Sequence, residues 1–153
     1  NLLVYEMTTS CYESDTYVTS RRYTYNGEGQ LIEEGTVSNG VYEKWNDYSY
    51  DERGNLIKEE NEYSIHQYEY NENDLLVKES VYNVSMDSTT ITVYSYDNQG
   101  KLLEKKDSSE YENGYEKYSY DKYGNVIKID RYNSDFGISN TEYSDYICFY
   151  IAK

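Results

Sequence analysis

The chain has 153 residues, a formal net charge of -15 and 23 tyrosines, with no proline. This length favours one domain over two, and the acidic balance argues against nucleic acid as a partner, because phosphate binding depends on Lys and Arg. No apolar stretch is long enough to span a bilayer, so membrane insertion is not expected. A chain this polar would ordinarily be disordered, but a periodic set of tyrosine rings can supply the missing apolar surface.

The chain opens on a half repeat at residues 1-6, Asn-Leu-Leu-Val-Tyr-Glu, which aligns with Asn55 to Glu59 of a phrase that recurs further along. We therefore interpret Asn1 as lying in mid-repeat, with upstream sequence missing. Cys11 follows, and the second cysteine, Cys148, lies at the opposite end. Two such distant thiols fit no metal site. They are either ordinary thiols or one disulfide that ties the ends together, and the sequence leaves both open.

Five copies of one phrase, Tyr-x-Tyr-Asp/Asn-x-x-Gly-x-Leu-Ile with small variations, dominate the chain. They lie near residues 23-34, 48-59, 68-79, 94-105 and 118-129. Tyr-x-Tyr and the Leu-Ile pair favour strands, and the polar residues between them favour a tight turn. Each phrase therefore predicts a β-hairpin. The predicted turn-forming residues, which need a positive φ or tolerate one, are Gly29, Gly54, Asp74, Gly100 and Gly124.

The connectors between phrases also predict turns, at Ser38-Asn39-Gly40, at Glu112-Asn113-Gly114 and at residues 133-137. Residues 143-151 predict a closing strand. The fold class expected is all-β, a coiled or partly rolled antiparallel meander of about twelve strands, built from β-hairpin repeats as a single domain over residues 1-153.

Strand alternation predicts which side chains share a face. In the second phrase Tyr50 should lie opposite Leu56, and Tyr48 opposite Lys58. The reverse face should carry one aliphatic residue per phrase together with Trp45, Ile65, Val93 and Tyr115. Since both faces are partly apolar, we expect the sheet to curl, or one face to be covered by something outside this chain.

The phrase resembles the YD repeat of the bacterial rearrangement-hot-spot and teneurin-type family. The resemblance covers about residues 1-145, and residues 48-57 and 118-127 match most closely. It implies a long antiparallel sheet coiling as a strip, which in large members closes into a shell around a toxin or other cargo, and it implies action at or beyond the bacterial surface. This chain has no room for a toxin domain, so toxin activity is not carried over.

Candidate catalytic groups are few. His66 is the only histidine and lies in a strand-like stretch, where a surface or half-buried structural role is expected. No nucleophile elbow or phosphate-binding loop is present, and carboxylates are so many that a close pair would carry no information. We expect no enzyme activity and no cofactor. Structural calcium at the Asp and Asn turns is a weaker alternative.

The function expected is a non-catalytic structural or protein-interaction scaffold of a secreted or cell-envelope bacterial protein. The alternative is a carbohydrate-binding module, with Tyr42, Trp45 and Tyr115 as candidate ligand-binding residues. The partner would be a protein or a glycan at the cell surface. Because exposed edge strands invite pairing, we also expect the first and last strands to pair with each other, to be capped, or to mediate self-association.

Overall fold

The computed structural model describes residues 2-12, 15-109, 113-133 and 138-143. These residues form twelve β-strands and no helix, so the described part contains no helix that could cross a membrane. The strands are β1 Leu2–Tyr12, β2 Asp15–Tyr25, β3 Leu31–Ser38, β4 Val41–Tyr50, β5 Leu56–Glu60, β6 Ser64–Tyr70, β7 Leu76–Asn83, β8 Ser88–Tyr96, β9 Leu102–Ser108, β10 Asn113–Tyr120, β11 Val126–Asn133 and β12 Ile138–Tyr143.

The chain divides into two compact units, Asn1–Tyr68 with Tyr82–Asp87, and Glu69–Val81 with Ser88–Lys153. In the first unit β1 to β6 pair antiparallel in chain order. In the second unit β8 to β12 do the same. The all-β antiparallel meander of about twelve strands is thus confirmed, while the single repeat domain stays a prediction.

The turn of each phrase is held by its Asp or Asn. In the second phrase the Asp51 amide donates to the Asn55 carbonyl (2.9 Å) and the Gly54 amide to the Asp51 carbonyl (3.1 Å). The Asp51 carboxylate accepts from the amides of Arg53 (2.9 Å) and Asn55 (2.8 Å), which fixes the loop. The residue that closes each turn has a positive φ: 81° at Gly29, 90° at Gly54, 58° at Asp74, 82° at Gly100 and 91° at Gly124.

A β-bulge follows the turn and changes the register. Tyr50 pairs with Leu56 as predicted, but Tyr48 pairs with Glu59, so the predicted pairing of Tyr48 with Lys58 is wrong. The reason is that Ile57 is an extra residue with no partner on β4. The same irregularity recurs in three other phrases, at Ile32, Leu103 and Ile127.

The connectors differ from one another. Asn39 and Gly40, with φ of 50° and 79°, form the two-residue turn between β3 and β4 that Asn-Gly favours. The turn predicted at Glu112-Asn113-Gly114 is wrong for Asn113 and Gly114, because both pair with β9 as the start of β10, while Glu112 lies outside the described residues. Of the turn predicted at 133-137, Asn133 is the last residue of β11 and residues 134-137 lie outside the described residues. The closing strand beyond Tyr143 and Cys148 lie outside them too.

Burial is shallow throughout the part of the chain whose side chains are described. No apolar side chain there is buried, and only Thr36 and Thr92 are. The phrase tyrosines are half-buried, whereas the bulge residues Ile57 and Leu103 are 37% and 41% exposed. The strands therefore depend on their ladders and cross-strand contacts, without the help of a fully buried apolar core.

Candidate functional site

The second tyrosine of a phrase ties that phrase to the preceding one. The Tyr120 hydroxyl donates to the Leu102 carbonyl at 2.7 Å. The ladder between β10 and β9 ends at Lys117 and Glu104, so Leu102 lies beyond it. Leu102 is half-buried, and the hydroxyl supplies its carbonyl with a donor beyond the end of this ladder.

The same contact occurs at two more junctions. Tyr50 donates to the Leu31 carbonyl at 2.8 Å, and Tyr96 to the Leu76 carbonyl at 2.7 Å. We name these three hydrogen bonds, from Tyr50, Tyr96 and Tyr120, the tyrosine clamps. Each joins the second strand of one hairpin to the first strand of the next, so adjacent repeats are fastened at the turn edge.

The first tyrosine of a phrase donates to a carboxylate. Tyr48 reaches Glu34 at 2.9 Å, and Tyr94 reaches Glu79 at 3.2 Å. Both glutamates lie three residues after the leucine of the preceding phrase. Burial, followed by the charge of Glu79 and its hydrogen bond, raises the pKa of Tyr94 to about 12. The phenol is therefore a neutral donor, and it satisfies a carboxylate.

The fifth phrase shows what happens when that glutamate is replaced. Lys105 occupies the equivalent position and has no acceptor to offer. Tyr118 donates instead to Glu116 on its own strand, and Arg131 also donates to Glu116 at 2.6 Å. Burial and the Glu116 hydrogen bond raise the pKa of Tyr118 to about 12. The need of the phenol for an acceptor is met by a different residue of the same sheet.

Successive turns also touch one another. The Gln30 side-chain amide donates to the Gly54 carbonyl at 3.3 Å, and Lys101 lies 3.2 Å from where a Cβ on Gly124 would stand. One open cleft of 580 Å³ lies beside the Gln30 contact in the first unit, where Asn26 and Asp51 help to line it. Another of 540 Å³ lies between the third and fourth turns in the second unit. The lining of the cleft in the second unit is mostly polar, whereas that of the cleft in the first unit is about half apolar.

The turn carboxylates already have protein donors. Besides two amides, Asp51 accepts from the Asn55 side chain at 3.1 Å, and Asp121 repeats this arrangement with Asn125 at 3.0 Å. Among the described residues no three His, Cys, Asp or Glu side chains gather as metal ligands. Structural calcium at the turns stays a prediction.

Tyr42, the first candidate ligand-binding residue, is half-buried by its neighbours. A Cβ on Gly35 would lie 2.7 Å from the Tyr42 ring, so the ring covers that glycine. The Arg22 guanidinium lies 4.1 Å from the ring centroid, and the hydroxyl donates to Glu33 at 2.9 Å. Burial, then the hydrogen bond to Glu33, raises the pKa of Tyr42 to about 12. Both the ring and the hydroxyl of Tyr42 therefore contact other residues of the sheet.

Trp45, the second candidate, is more accessible. It is the extra residue of a bulge, between Lys44, which pairs with Gly35, and Asn46, which pairs with Glu34. Trp45 is 42% exposed, and the centroid of its ring lies 5.8 Å from the Arg21 guanidinium. With Tyr63, which is 66% exposed, Trp45 lines an open cavity of 360 Å³.

The predicted location of Trp45 on the reverse face is wrong. Alternation places Arg21 on the same face as Tyr23, two residues along β2, and the Trp45 ring lies against Arg21. The bulge breaks the alternation on which the prediction depended.

Tyr115, the third candidate, belongs to the second unit. It pairs with Tyr132, and the two rings stack at 5.5 Å with 21° between their planes. Lys117 lies 4.9 Å from the Tyr115 centroid. Tyr42 and Trp45 belong to the first unit. Each of the three aromatic residues has its own set of contacts. Their role in ligand binding stays a prediction.

His66 lies in β6, where it pairs with Glu59 and stacks on Tyr68 with 6.3 Å between ring centroids. It is half-buried. The imidazole thus packs along β6 against Tyr68, and its cross-strand neighbour is Glu59.

Comparison with known proteins gives a likeness of fold. No protein-family model and no curated protein matches the chain. Among solved structures, the crystal structure of TcdB2-TccC3-TEV aligns with a TM-score of 0.53 at 15% identity, over 86% of this chain and 10% of that one. The chain shares its fold with a part of that protein. TcdB2-TccC3-Cdc42 aligns over the same shares at 16% identity with a TM-score of 0.46.

Proposed function

We propose that this chain is a YD-type repeat scaffold, without catalytic activity of its own, in a secreted or envelope-attached bacterial protein. The observation that carries the proposal is the tyrosine clamp. Three phrases use the same hydroxyl to close the junction with the preceding hairpin. A side-chain hydrogen bond that recurs at the junctions between repeats is typical of a repeat protein with a structural role.

The remaining polar groups support a scaffold over a catalyst. Glu34, Glu79 and Glu116 accept from tyrosines, and Lys58 and Lys78 pair with carboxylates at 2.5 and 2.6 Å. A general acid or base must be available to a substrate proton. In this sheet these carboxylates already have partners on their own strand or on an adjacent one.

A protein is the partner that this surface suits best. Apolar side chains are left exposed in both units, and the net charge of -15 disfavours nucleic acid and anionic membranes while favouring a basic surface. The likeness of fold to TcdB2-TccC3-TEV, a much longer chain, supports a role as one segment of a larger assembly.

Cross-linking in the producing cells tests this proposal. The native protein, recovered from secreted, envelope and cytosolic fractions, should occur in the first two and form cross-links to another polypeptide through lysines of its exposed surface. A purely cytosolic protein would contradict the location. Turnover of a substrate by the purified chain would contradict the scaffold.

The glycan-binding alternative has its own test. Binding of the purified chain to a glycan array should be absent if the chain is a protein scaffold. Specific binding that Trp45→Ala abolishes and Tyr123→Phe preserves would establish the alternative instead. Tyr123 serves as the control because it is exposed at a turn and is not among the residues that line the Trp45 cavity.

A further inference from the structure

The chain contains three Asn-Gly pairs, Asn26-Gly27, Asn39-Gly40 and Asn113-Gly114. This dipeptide is chemically labile. The amide nitrogen of the glycine attacks the side-chain carbonyl carbon of the asparagine, and the absence of a Cβ leaves that nitrogen open to react. In a folded protein the reaction requires a side chain that is free to rotate and a backbone that is free to bend. The three pairs differ in both respects.

Asn39 meets both requirements. It lies at the tip of the β3-β4 hairpin with Gly40, both exposed, and nothing lies within 4 Å of where a Cβ on Gly40 would stand. Among the described residues the Asn39 side chain has no hydrogen-bond partner. Its φ of 50° lies in the left-handed region, which Asn tolerates.

Asn26 is held by its side chain. Its carboxamide oxygen accepts from the amides of Glu28 (3.0 Å) and Gln30 (2.9 Å). Its amide nitrogen donates to the Gln30 side chain at 2.7 Å. The side-chain carbonyl must leave these hydrogen bonds before the Gly27 nitrogen can reach it, although Gly27 itself has open space around it.

Asn113 is held by its backbone. Gly114 pairs with Asp107 of β9 on one side and with Asn133 of β11 on the other. A Cβ on Gly114 would lie 3.0 Å from the Tyr132 carbonyl, so this backbone is packed closely. The bend that brings the Gly114 nitrogen to the Asn113 side chain would break an extended ladder.

We propose that Asn39 is a site of spontaneous deamidation, and that the fold protects the other two Asn-Gly pairs. The Gly40 nitrogen forms a bond to the Asn39 side-chain carbon, and the bond from that carbon to the amide nitrogen breaks. The proton of the Gly40 amide leaves with the departing group as ammonia. Water then opens the five-membered imide to aspartate or isoaspartate, and no other reagent is needed.

The modification alters the hairpin that carries Tyr42 and Trp45. Isoaspartate adds a methylene to the main chain of a two-residue turn whose φ angles of 50° and 79° set the pairing of Ser38 with Val41. A longer main chain does not fit this turn geometry. Amide hydrogens of β3 and β4 near the turn should therefore exchange faster in aged protein.

Peptide mapping by mass spectrometry tests the proposal on the whole chain. Purified protein is aged at mildly alkaline pH, and the three Asn-Gly peptides are followed for conversion of amide to acid and for isoaspartate. Asn39 should react on the order of tenfold faster than Asn26, whose hydrogen bonds must first be broken. Reaction at Asn26 or Asn113 as fast as at Asn39 would overturn the proposal.

Two controls separate structure from local sequence. In concentrated urea the three rates should converge, and a preference for Asn39 that persists in the unfolded chain would overturn the structural explanation. Gln30→Ala removes the acceptor of the Asn26 amide, so the Asn26 rate should rise severalfold while the Asn39 rate stays the same. An unchanged Asn26 rate would refute the protection assigned to that hydrogen bond.

Discussion

Replacing Tyr96 by Phe removes one tyrosine clamp and leaves the ring in place. The lost interaction is the 2.7 Å hydrogen bond to the Leu76 carbonyl. A hydrogen bond of this kind contributes about 0.5 to 1.5 kcal/mol to stability. Both residues are half-buried, so water can reach part of the vacated carbonyl, and we expect a loss of about 1 kcal/mol.

Urea unfolding followed by circular dichroism measures this loss. In thermal unfolding, the same loss of about 1 kcal/mol should lower the Tm of a chain of this length by about 2-4 °C. Tyr123→Phe is the matched control, because Tyr123 is 66% exposed and such surface changes stay within about 0.5 kcal/mol. The triple change of Tyr50, Tyr96 and Tyr120 to Phe should cost about 3 kcal/mol if the clamps are independent.

The reasoning would be refuted if Tyr96→Phe cost no more than Tyr123→Phe. In that case the recurrence of Tyr at this position of the phrase would reflect ring packing, and the hydroxyl would be replaceable by water. Hydrogen exchange adds a local readout, since the amides at the turn ends of β7 and β8 should lose protection in Tyr96→Phe and keep it in the control.

Three further predictions follow from the turns, the bulged hairpin and the buried phenols. Asp74→Gly should stabilise the chain by roughly 1 kcal/mol in urea unfolding, because the φ of 58° costs a residue with a Cβ more than it costs glycine. A destabilised variant would mean that the Asp74 side chain contributes more stability than its backbone strain costs. Gly35→Ala should cost roughly 3 kcal/mol or more, because its Cβ would lie 2.2 Å from the Glu43 carbonyl, and wild-type stability would show that the strands separate freely. Burial and Glu79 raise the pKa of Tyr94 from 10.0 to about 12, so the stability that the protonated phenol contributes should be complete below pH 10 and disappear as the pH rises towards 12. Tyrosinate absorbance should show that Tyr94→Phe removes one late-titrating phenol. An unchanged titration curve would contradict the assignment.

The fold was largely predictable because its signals are local and repeated. Each phrase places an Asp or Asn before the turn and a residue tolerant of positive φ at its end, and the hydrogen bonds at Asp51 show how that pair fixes the loop. Sequential hairpins without a helical period leave few arrangements other than a meander.

The pairing of Tyr48 could not be predicted from alternation. The one-residue bulge at Ile57 shifts every pair beyond it, and strand periodicity does not reveal where an extra residue will be placed. The same limitation misplaced Trp45. The extra residue recurs after the turn in four phrases, so the turn sequence, rather than strand alternation, accompanies this change of register.

The tyrosine clamps were missed, although the sequence contains a signal for them. The second tyrosine of the phrase is Tyr in all five copies, at Tyr25, Tyr50, Tyr70, Tyr96 and Tyr120. Phenylalanine would pack against a neighbouring strand almost as well. A position that never exchanges Tyr for Phe within one chain indicates that the hydroxyl has a partner, though only coordinates identify it as a backbone carbonyl.

The clamps also bear on how such a chain can change length. Each clamp joins two adjacent strands, so its donor and acceptor always lie in neighbouring hairpins. Duplication or loss of one complete hairpin would recreate the same donor and acceptor at the new junction. A gene encoding this sheet can therefore grow or shrink by whole phrases while every remaining junction stays closed.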